Sequence, residues 1–201
     1  MHDGAPGQNL YGFDVVDFWE LGFEMFRDRD GFGGRFVRAD VLADDGKLKA
    51  FEGGLDVVHI AMVSNYEGYR GWWAQLGTIH SSVGLTCMAW VQVLHLWDWD
   101  GQVGACKKLV SLTKPGSLVV GDQVGNVTAQ AKALDSIPLP LWRHNEQSFA
   151  RMWEEVGLAT GTIWECSSWL RTFAEMAWRE EDTAWIEEGA CVLEFVVRRV
   201  S

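Results

Sequence analysis

The sequence predicts an α/β fold built on a mostly parallel β-sheet. Apolar segments with the length of strands alternate along the chain with segments of helical periodicity. One segment, residues 55–62 (LDVVHIAM), is apolar at nearly every position, as a parallel strand covered on both faces must be. Two late apolar segments, residues 160–169 and 190–200, enclose a helical stretch and are expected to form an antiparallel pair at one edge.

The first part of the chain contains two further strand candidates. Residues 9–13 and 35–42 are short apolar segments, and each leads into a polar turn. Between them, residues 15–27 carry apolar side chains at nearly helical spacing. Residues 46–53 can form a short helix that ends at two glycines. This part therefore reads strand, helix, strand, short helix.

The second part of the chain continues the alternation. Residues 102–112 form an amphipathic helix, and the Lys-Pro-Gly that follows turns the chain into a strand at 117–121. A loop containing Pro138 and Pro140 comes next, and residues 145–156 are a helix. The expected domain organisation is a single domain over residues 1–201.

Bulk composition limits the partners. The formal net charge of −11 argues against binding to nucleic acid or to an anionic membrane surface, because Lys and Arg supply those contacts. The four cysteines lack metal-site spacing and suit reduced thiols, so no metal is expected. The N-terminus does not read as a signal peptide, and no apolar run is long enough to cross a bilayer. A cytoplasmic protein is predicted.

Acidic residues at two strand ends mark the expected binding edge, because ligands of such sheets bind at the carboxyl ends of the strands. Asp14 follows the first strand and could accept hydrogen bonds from ribose hydroxyls, or it could cap the next helix. Asp40 follows the second strand and could accept from the exocyclic amine of adenine, or it could simply form a turn.

Three histidines are the other candidates. His59 lies inside the central strand, where a satisfied core residue is the commoner role. His95 belongs to the turn that would follow this strand, and contact with ligand and a structural role are both open. His144 precedes a helix and is expected to cap it or to lie at the surface. Without HExxH, GxSxG or P-loop patterns, these residues alone indicate a nucleoside-binding α/β domain.

Five ordered stretches carry a more specific resemblance. They are DGAPGQNLYGFDVVDFWELGFEMFRDRDGFGGRFVRADVL, LDVVHIAMV, LHLWDWDGQVGACKKLVSLTKPGSLVVGDQVG, WRHNEQSFARMWEEVGLATGTIW and LEFVVRRV. Together they resemble fungal secondary-metabolite methyltransferases of the class I S-adenosylmethionine (SAM) superfamily, including those of meroterpenoid clusters. The second and third stretches are similar to the fourth strand, active-site turn, helix and fifth strand of that Rossmann-like fold.

The resemblance implies a cofactor and a set of site residues. The cofactor would be SAM, with Asp14 at its ribose, Val15 beside it, and Ala39, Asp40 and Val41 flanking adenine. His59 and His95 would face the active site as catalytic candidates. The implied reaction is O-methylation of a hydroxyl or carboxylate on a small lipophilic polyketide or terpenoid.

Two departures from the family pattern are expected. The first strand and the glycine-rich loop of the family do not precede the DGAP segment, so the sheet is predicted to lack its first strand and the domain to be incomplete. Residues 63–92 would be an insert, since the strand at 55–62 and the segment that begins at Val93 otherwise join directly. Their low charge suggests translated intron, and a lid over the pocket is the alternative.

A second function class follows from the same departures. A sheet without an interior strand would leave unpaired backbone, which promotes association. The chain could then be a non-catalytic remnant that acts as an oligomerisation partner of an intact homologue, or that forms a homodimer.

Overall fold

The computed structural model describes residues 9–17, 19–27, 29–30, 33–43, 46–61, 87–91, 94–134, 137–183 and 186–201. The strands are β1 (Leu10–Asp14), β2 (Arg35–Arg38), β3 (Leu55–Ala61), β4 (Cys87–Val91), β5 (Thr113–Asn126), β6 (Gln130–Leu134), β7 (Ile137–Arg143), β8 (Trp164–Arg171) and β9 (Ala190–Arg199). The α-helices are α1 (Trp19–Phe26), α2 (Trp99–Leu112), α3 (Glu146–Thr160) and α4 (Glu180–Thr183). Among the described residues, 3₁₀ turns cover Lys49–Phe51 and Leu94–Leu96.

One seven-stranded sheet organises the described residues, in the order β2-β1-β4-β3-β5-β9-β8. The strands from β2 to β5 pair parallel, whereas β9 pairs antiparallel with both β5 and β8. Strands β6 and β7 form a separate two-stranded antiparallel sheet. The predicted α/β fold with an antiparallel C-terminal pair is confirmed.

The centre of the sheet differs from the expectation. Between β1 and β3, where an interior strand was predicted to be missing, β4 pairs with both neighbours. This strand comes from the 63–92 segment that the sequence marked as an insert. The unpaired interior backbone expected for an incomplete sheet is therefore not observed, because the chain supplies a strand from another place in the sequence.

Two elements are longer or later than predicted, and one predicted loop is a strand. Helix α1 begins at Trp19 instead of residue 15, and β5 extends on both sides of residues 117–121. Pro138 and Pro140 lie within β7. Proline lacks the N–H that a central strand donates, and β7 avoids this cost because it belongs to a two-stranded sheet that consists only of edges.

The core lies on both faces of the sheet. On one face, alternate strand residues such as Val58, Val119 and Phe195 pack with α2 and α3 in a single buried cluster. On the other face, Val57 and Val120 form a smaller cluster. This alternation assigns each strand side chain to a face and defines the surroundings of the polar ones.

Gly121 allows β5 to pass close to β3 at the carboxyl half of the sheet. Its φ is +152°, and a Cβ atom there would lie 1.5 Å from the carbonyl oxygen of Ile60. Only glycine avoids this collision with backbone.

Among the described residues, no helix combines the length and apolar character needed to span a bilayer.

Candidate functional site

Asp14 and Asp40 lie at the same edge of the sheet. The parallel register of β1 and β2 pairs Asp14 with Arg38, and the N–H of Ala39 donates to the carbonyl of Asp14 at 3.0 Å. Asp40 is the next residue. Asp14 is the last residue of β1 and Asp40 lies just after β2, so both aspartates lie at the carboxyl ends of neighbouring strands, as the nucleoside-site prediction requires.

Each aspartate also organises its own turn. Oδ1 of Asp14 accepts from the N–H of Val16 at 3.2 Å, and Oδ1 of Asp40 accepts from the N–H of Leu42 at 2.9 Å. At the start of α1, the N–H of Trp19 donates to Asp17, not to Asp14. The helix-capping role considered for Asp14 is therefore wrong, because α1 starts later than its periodicity suggested.

The three neighbours of these aspartates present backbone groups and one exposed side chain. Ala39 and Val41 bury their side chains in the core, so only their main chain is available at this edge. Val15 exposes about half of its side chain, and its carbonyl accepts from Nε of Arg38 at 3.0 Å. The arrangement gives the edge a pair of carboxylates next to ordered main-chain groups.

His59 lies near the carboxyl end of β3, with Ala89 and Val120 as its partners in the neighbouring strands. Its side chain is 7% exposed. It points away from the face that carries α2 and α3, because Val58 and Ile60 on either side belong to the cluster on that face.

His95 lies in the Leu94–Leu96 turn, which is fastened to β7. The carbonyl of His95 accepts from Nη1 of Arg143 at 2.8 Å, and Nε of Arg143 donates to Glu187 at 2.8 Å. Gln102 donates to the carbonyls of Trp97 and Trp142 at 3.1 and 3.0 Å. These bonds give the turn a defined conformation.

The chemistry of His95 follows from this packing. Burial, and then the positive charge of Arg143, lower the pKa of His95 from 6.5 to about 4. The imidazole is neutral at physiological pH, but it accepts a proton only weakly. Arg143 and Gln102 were not identified from the sequence as site residues, although both fall within the stretches that carry the family resemblance.

His144 is fully buried, so the expected surface position is wrong. Its Nδ1 lies 2.9 Å from Oγ of Ser148, and its carbonyl accepts from the N–H of Asn126. Asn145 caps α3 in a reciprocal capping box with Ser148. Burial and then Arg151 lower the pKa of His144 to about 3.

The fold is that of class I methyltransferases. A Burkholderia thailandensis 1,6-didemethyltoxoflavin-N1-methyltransferase, solved with S-adenosylhomocysteine, superposes with a TM-score of 0.54 at 14% identity, over 95% of this chain and 61% of that one. The [4+2]-cyclase SpnF superposes with a TM-score of 0.52 at 11% identity, over 94% of this chain and 65% of that one. One fold thus carries more than one activity.

Sequence relatives are more specific. The chain is 36% identical over 194 residues to the O-methyltransferase atr3 of Stereocaulon alpinum, which covers 91% of this chain and 46% of that protein. It is 34% identical to the O-methyltransferase phiE of a fungal species, over 82% of this chain and 46% of that protein. It is 32% identical to the methyltransferase adrK of Penicillium rubens, over 84% of this chain and 52% of that protein. No family model matches. The resemblance to fungal secondary-metabolite methyltransferases is confirmed, and the chain spans about half the length of these relatives.

Proposed function

We propose that this chain provides the SAM-binding part of an O-methyltransferase that acts on a hydroxyl or carboxylate of a small lipophilic natural product. The observation that carries the proposal is the adjacency of Asp14 and Asp40 at the carboxyl edge of β1 and β2. The named O-methyltransferases among the relatives support the reaction type.

The residues at this edge fit the adenosine half of SAM. Asp14 would accept from the ribose hydroxyls beside Val15, and Asp40 would accept from the adenine amine. Ala39 and Val41 would offer main-chain groups, since their side chains are buried. SAM, when bound, supplies an electrophilic methyl group attached to a sulfonium sulfur, which is a good leaving group.

The chain's own contribution is to orient the acceptor and to receive a proton. Alignment of the nucleophile provides much of the acceleration, so the rigid turn at His95 would help to place the acceptor. A base is needed only when the acceptor is a hydroxyl. His59 and His95 are the candidates, and the low pKa of His95 makes it a weak base.

Calorimetric titration with SAM tests the proposal. The chain is expected to bind SAM with micromolar affinity, and Asp14→Asn should weaken binding about tenfold or more, because hydrogen bonds to a charged group are worth roughly 1.5–3 kcal/mol. Asp17→Asn is the matched control, since asparagine caps a helix about as well as aspartate. Absence of SAM binding by the unmodified chain, together with a soluble oligomer, would favour the non-catalytic remnant.

The origin of the 63–92 segment is a separate proposal. If it is translated intron, cDNA across codons 60–95 should lack it in the dominant transcript. A dominant transcript that retains the segment would contradict this. The pairing of β4 with β1 and β3 favours retention, because part of the segment then belongs to the sheet.

Homodimer formation and a cytoplasmic location also stay predictions, to be checked by light scattering and cell fractionation.

A further inference from the structure

A buried ion pair joins two parts of the chain that lie far apart in the sequence. Nε of Arg143, the last residue of β7, lies 2.8 Å from Oε1 of Glu187, and the two side chains are 6% and 10% exposed. The carbonyl of Glu187 accepts from the N–H of Ala190 at 3.2 Å, which closes a turn (the 187–190 turn) before β9. Removing two charges from water is costly, and apolar side chains of similar size often stabilise a protein equally well. Stability alone therefore gives no reason for placing charges here.

The same guanidinium also holds the backbone of the His95 turn. Nη1 of Arg143 donates to the carbonyl of His95 at 2.8 Å, while Nε donates to the carboxylate of Glu187. Hydrogen bonds from a charged donor are stronger than those between neutral groups. Because the guanidinium is planar and its donors are rigidly arranged, two acceptors fix its orientation. Arg143 therefore connects the His95 turn to Glu187.

The 187–190 turn is itself fastened to the end of β5. Nδ2 of Asn126 donates to the carbonyl of Glu188 at 2.9 Å. The N–H of Val127 donates to the carbonyl of Gly189 at 3.0 Å. Asn126 is buried, so its hydrogen bond to the turn is shielded from water. The backbone that carries the carboxylate of the ion pair is thus held in place.

Both partners of the pair are charged at neutral pH. Burial raises the pKa of Glu187, but the hydrogen bond and charge of Arg143, together with the charge of Lys132, lower it below its ordinary value. A guanidinium stays protonated under the same conditions. Removing one partner would leave the other as an uncompensated buried charge, whereas removing both would not. A double variant can therefore separate the placement of the His95 turn from the stability of the protein.

We propose that Arg143 is a positioning residue for the His95 turn and that Glu187 holds the arginine in the orientation this requires. This inference rests on the proposed methyltransferase function, in which the turn helps to place the acceptor. A misplacement of about 1 Å can lower the rate of an enzyme reaction about a hundredfold. The device acts on the acceptor side, because Asp14 and Asp40 lie at the ends of β1 and β2.

The first experiment needs neither cofactor nor acceptor. Hydrogen exchange is followed at two reporter amides, Trp97, which donates to the carbonyl of Leu94, and Trp142, which donates to the carbonyl of Trp97. Arg143→Met combined with Glu187→Met removes the pair without leaving a lone buried charge, so this double variant is expected to fold. Both reporter amides should exchange about tenfold faster or more, since a charged hydrogen bond to the turn is lost. The amides of β5 and β9 should change little.

A matched control tests the carboxylate separately. Glu187→Gln should accelerate exchange at the reporter amides, whereas Glu165→Gln should not, because Glu165 forms an exposed ion pair with Arg198. Unchanged exchange at both reporter amides of the double variant would overturn the proposal. Equal acceleration at all slowly exchanging amides of the double variant would overturn it too, since this would indicate a general loss of stability.

A second experiment separates acceptor placement from SAM binding. With SAM and a long-chain phenol as the acceptor probe, the double variant should lower kcat by about a hundredfold and leave the Kd for SAM almost unchanged. Arg143→Lys keeps the charge beside Glu187 but lacks the fork of donors, so it should recover only part of kcat. A parallel loss of SAM affinity and kcat would contradict the inference. If the unmodified chain neither binds SAM nor methylates the phenol, the proposed function is in question, and hydrogen exchange alone decides the role of Arg143.

Discussion

His59, His95 and His144 have three different environments, which their sequence contexts did not distinguish. His144 is enclosed by aromatic rings, with Trp99 and Phe149 at centroid distances of 5.3 and 5.6 Å. Its Nδ1 contacts Ser148, and its Nε2 is buried without a hydrogen-bond partner among the residues that the structure describes. A protonated ring there would carry an uncompensated charge, so His144 stays neutral. His59 shares its sheet face with carboxylates, and His95 faces the positive charge of Arg143.

Acid should destabilise this protein through its histidines. The pKa values of His144 and His95 are about 3 and about 4 in the folded chain, against 6.5 ordinarily. Below about pH 6.5 these histidines bind protons in the unfolded chain but stay neutral in the folded chain. The free energy of unfolding therefore falls as the pH drops toward 4, and it is fully restored above about pH 7. Each histidine contributes at most about 1.4 kcal/mol per pH unit.

Urea unfolding between about pH 7 and pH 5 measures this slope. In His144→Asn, the side-chain amide can replace Nδ1 as the partner of Ser148. This variant should reduce the change in the free energy of unfolding with pH by the contribution of at most one proton, about 1.4 kcal/mol per pH unit. Identical slopes for the variant and the unmodified chain would show that His144 is not the responsible group.

Helix α2 connects the candidate site to the core and is held at both ends. At its start, Asp98 accepts from the N–H of Gly101 at 2.8 Å. At its end, Nη1 of Arg199 donates to the carbonyls of Val110 and Thr113 at 2.9 and 2.7 Å. A cation at the C-terminal end also suits the helix dipole. The far end of β9 thereby fixes the helix that follows the His95 turn.

Two adjacent arginines allow a matched test of this contact. Arg199→Met should lower the free energy of unfolding by about 1.5–3 kcal/mol, since it leaves carbonyls without their charged donor. Arg198→Met removes only an exposed ion pair with Glu165 and should cost less than about 1 kcal/mol. Equal losses in urea unfolding would contradict the capping role of Arg199.

At the scale of the whole molecule, the sheet depends on a strand that sequence reasoning set aside. The usual doubly wound order is 3-2-1-4-5, and β4 occupies the central first place of that order. Parallel strands are stable when both edges are paired and both faces are covered. Seating β4 between β1 and β3 pairs two edges that would otherwise be open to association.

Hydrogen exchange can test this central position. Amides of β4 are expected to exchange as slowly as those of β3, because a strand paired on both sides opens only with large parts of the sheet. The amides of β2, which forms one edge of the sheet, should exchange faster. Fast exchange throughout residues 87–91 would contradict a seated β4.

Local sequence patterns predict much of the fold. Strands at 55–62 and 190–200 and the helix at 145–156 were predicted close to their observed positions, because their periodicity and end signals act over a few residues. The adjacency of Asp14 and Asp40 followed from the rule that ligands meet parallel strands at their carboxyl ends. The start of α1 and the proline-containing β7 were not recovered, since their bounds depend on contacts made after the chain folds.

The order of residues by itself determined the α/β class, the relatives and the edge where two carboxylates meet, because each rests on short-range pattern or on ordered similarity. Only the tertiary structure decided that β4 fills the middle of the sheet and that Arg143 joins Glu187 to the His95 turn. Strand order and register arise from pairing between segments far apart in the chain, and no local signal records which edge a strand will join.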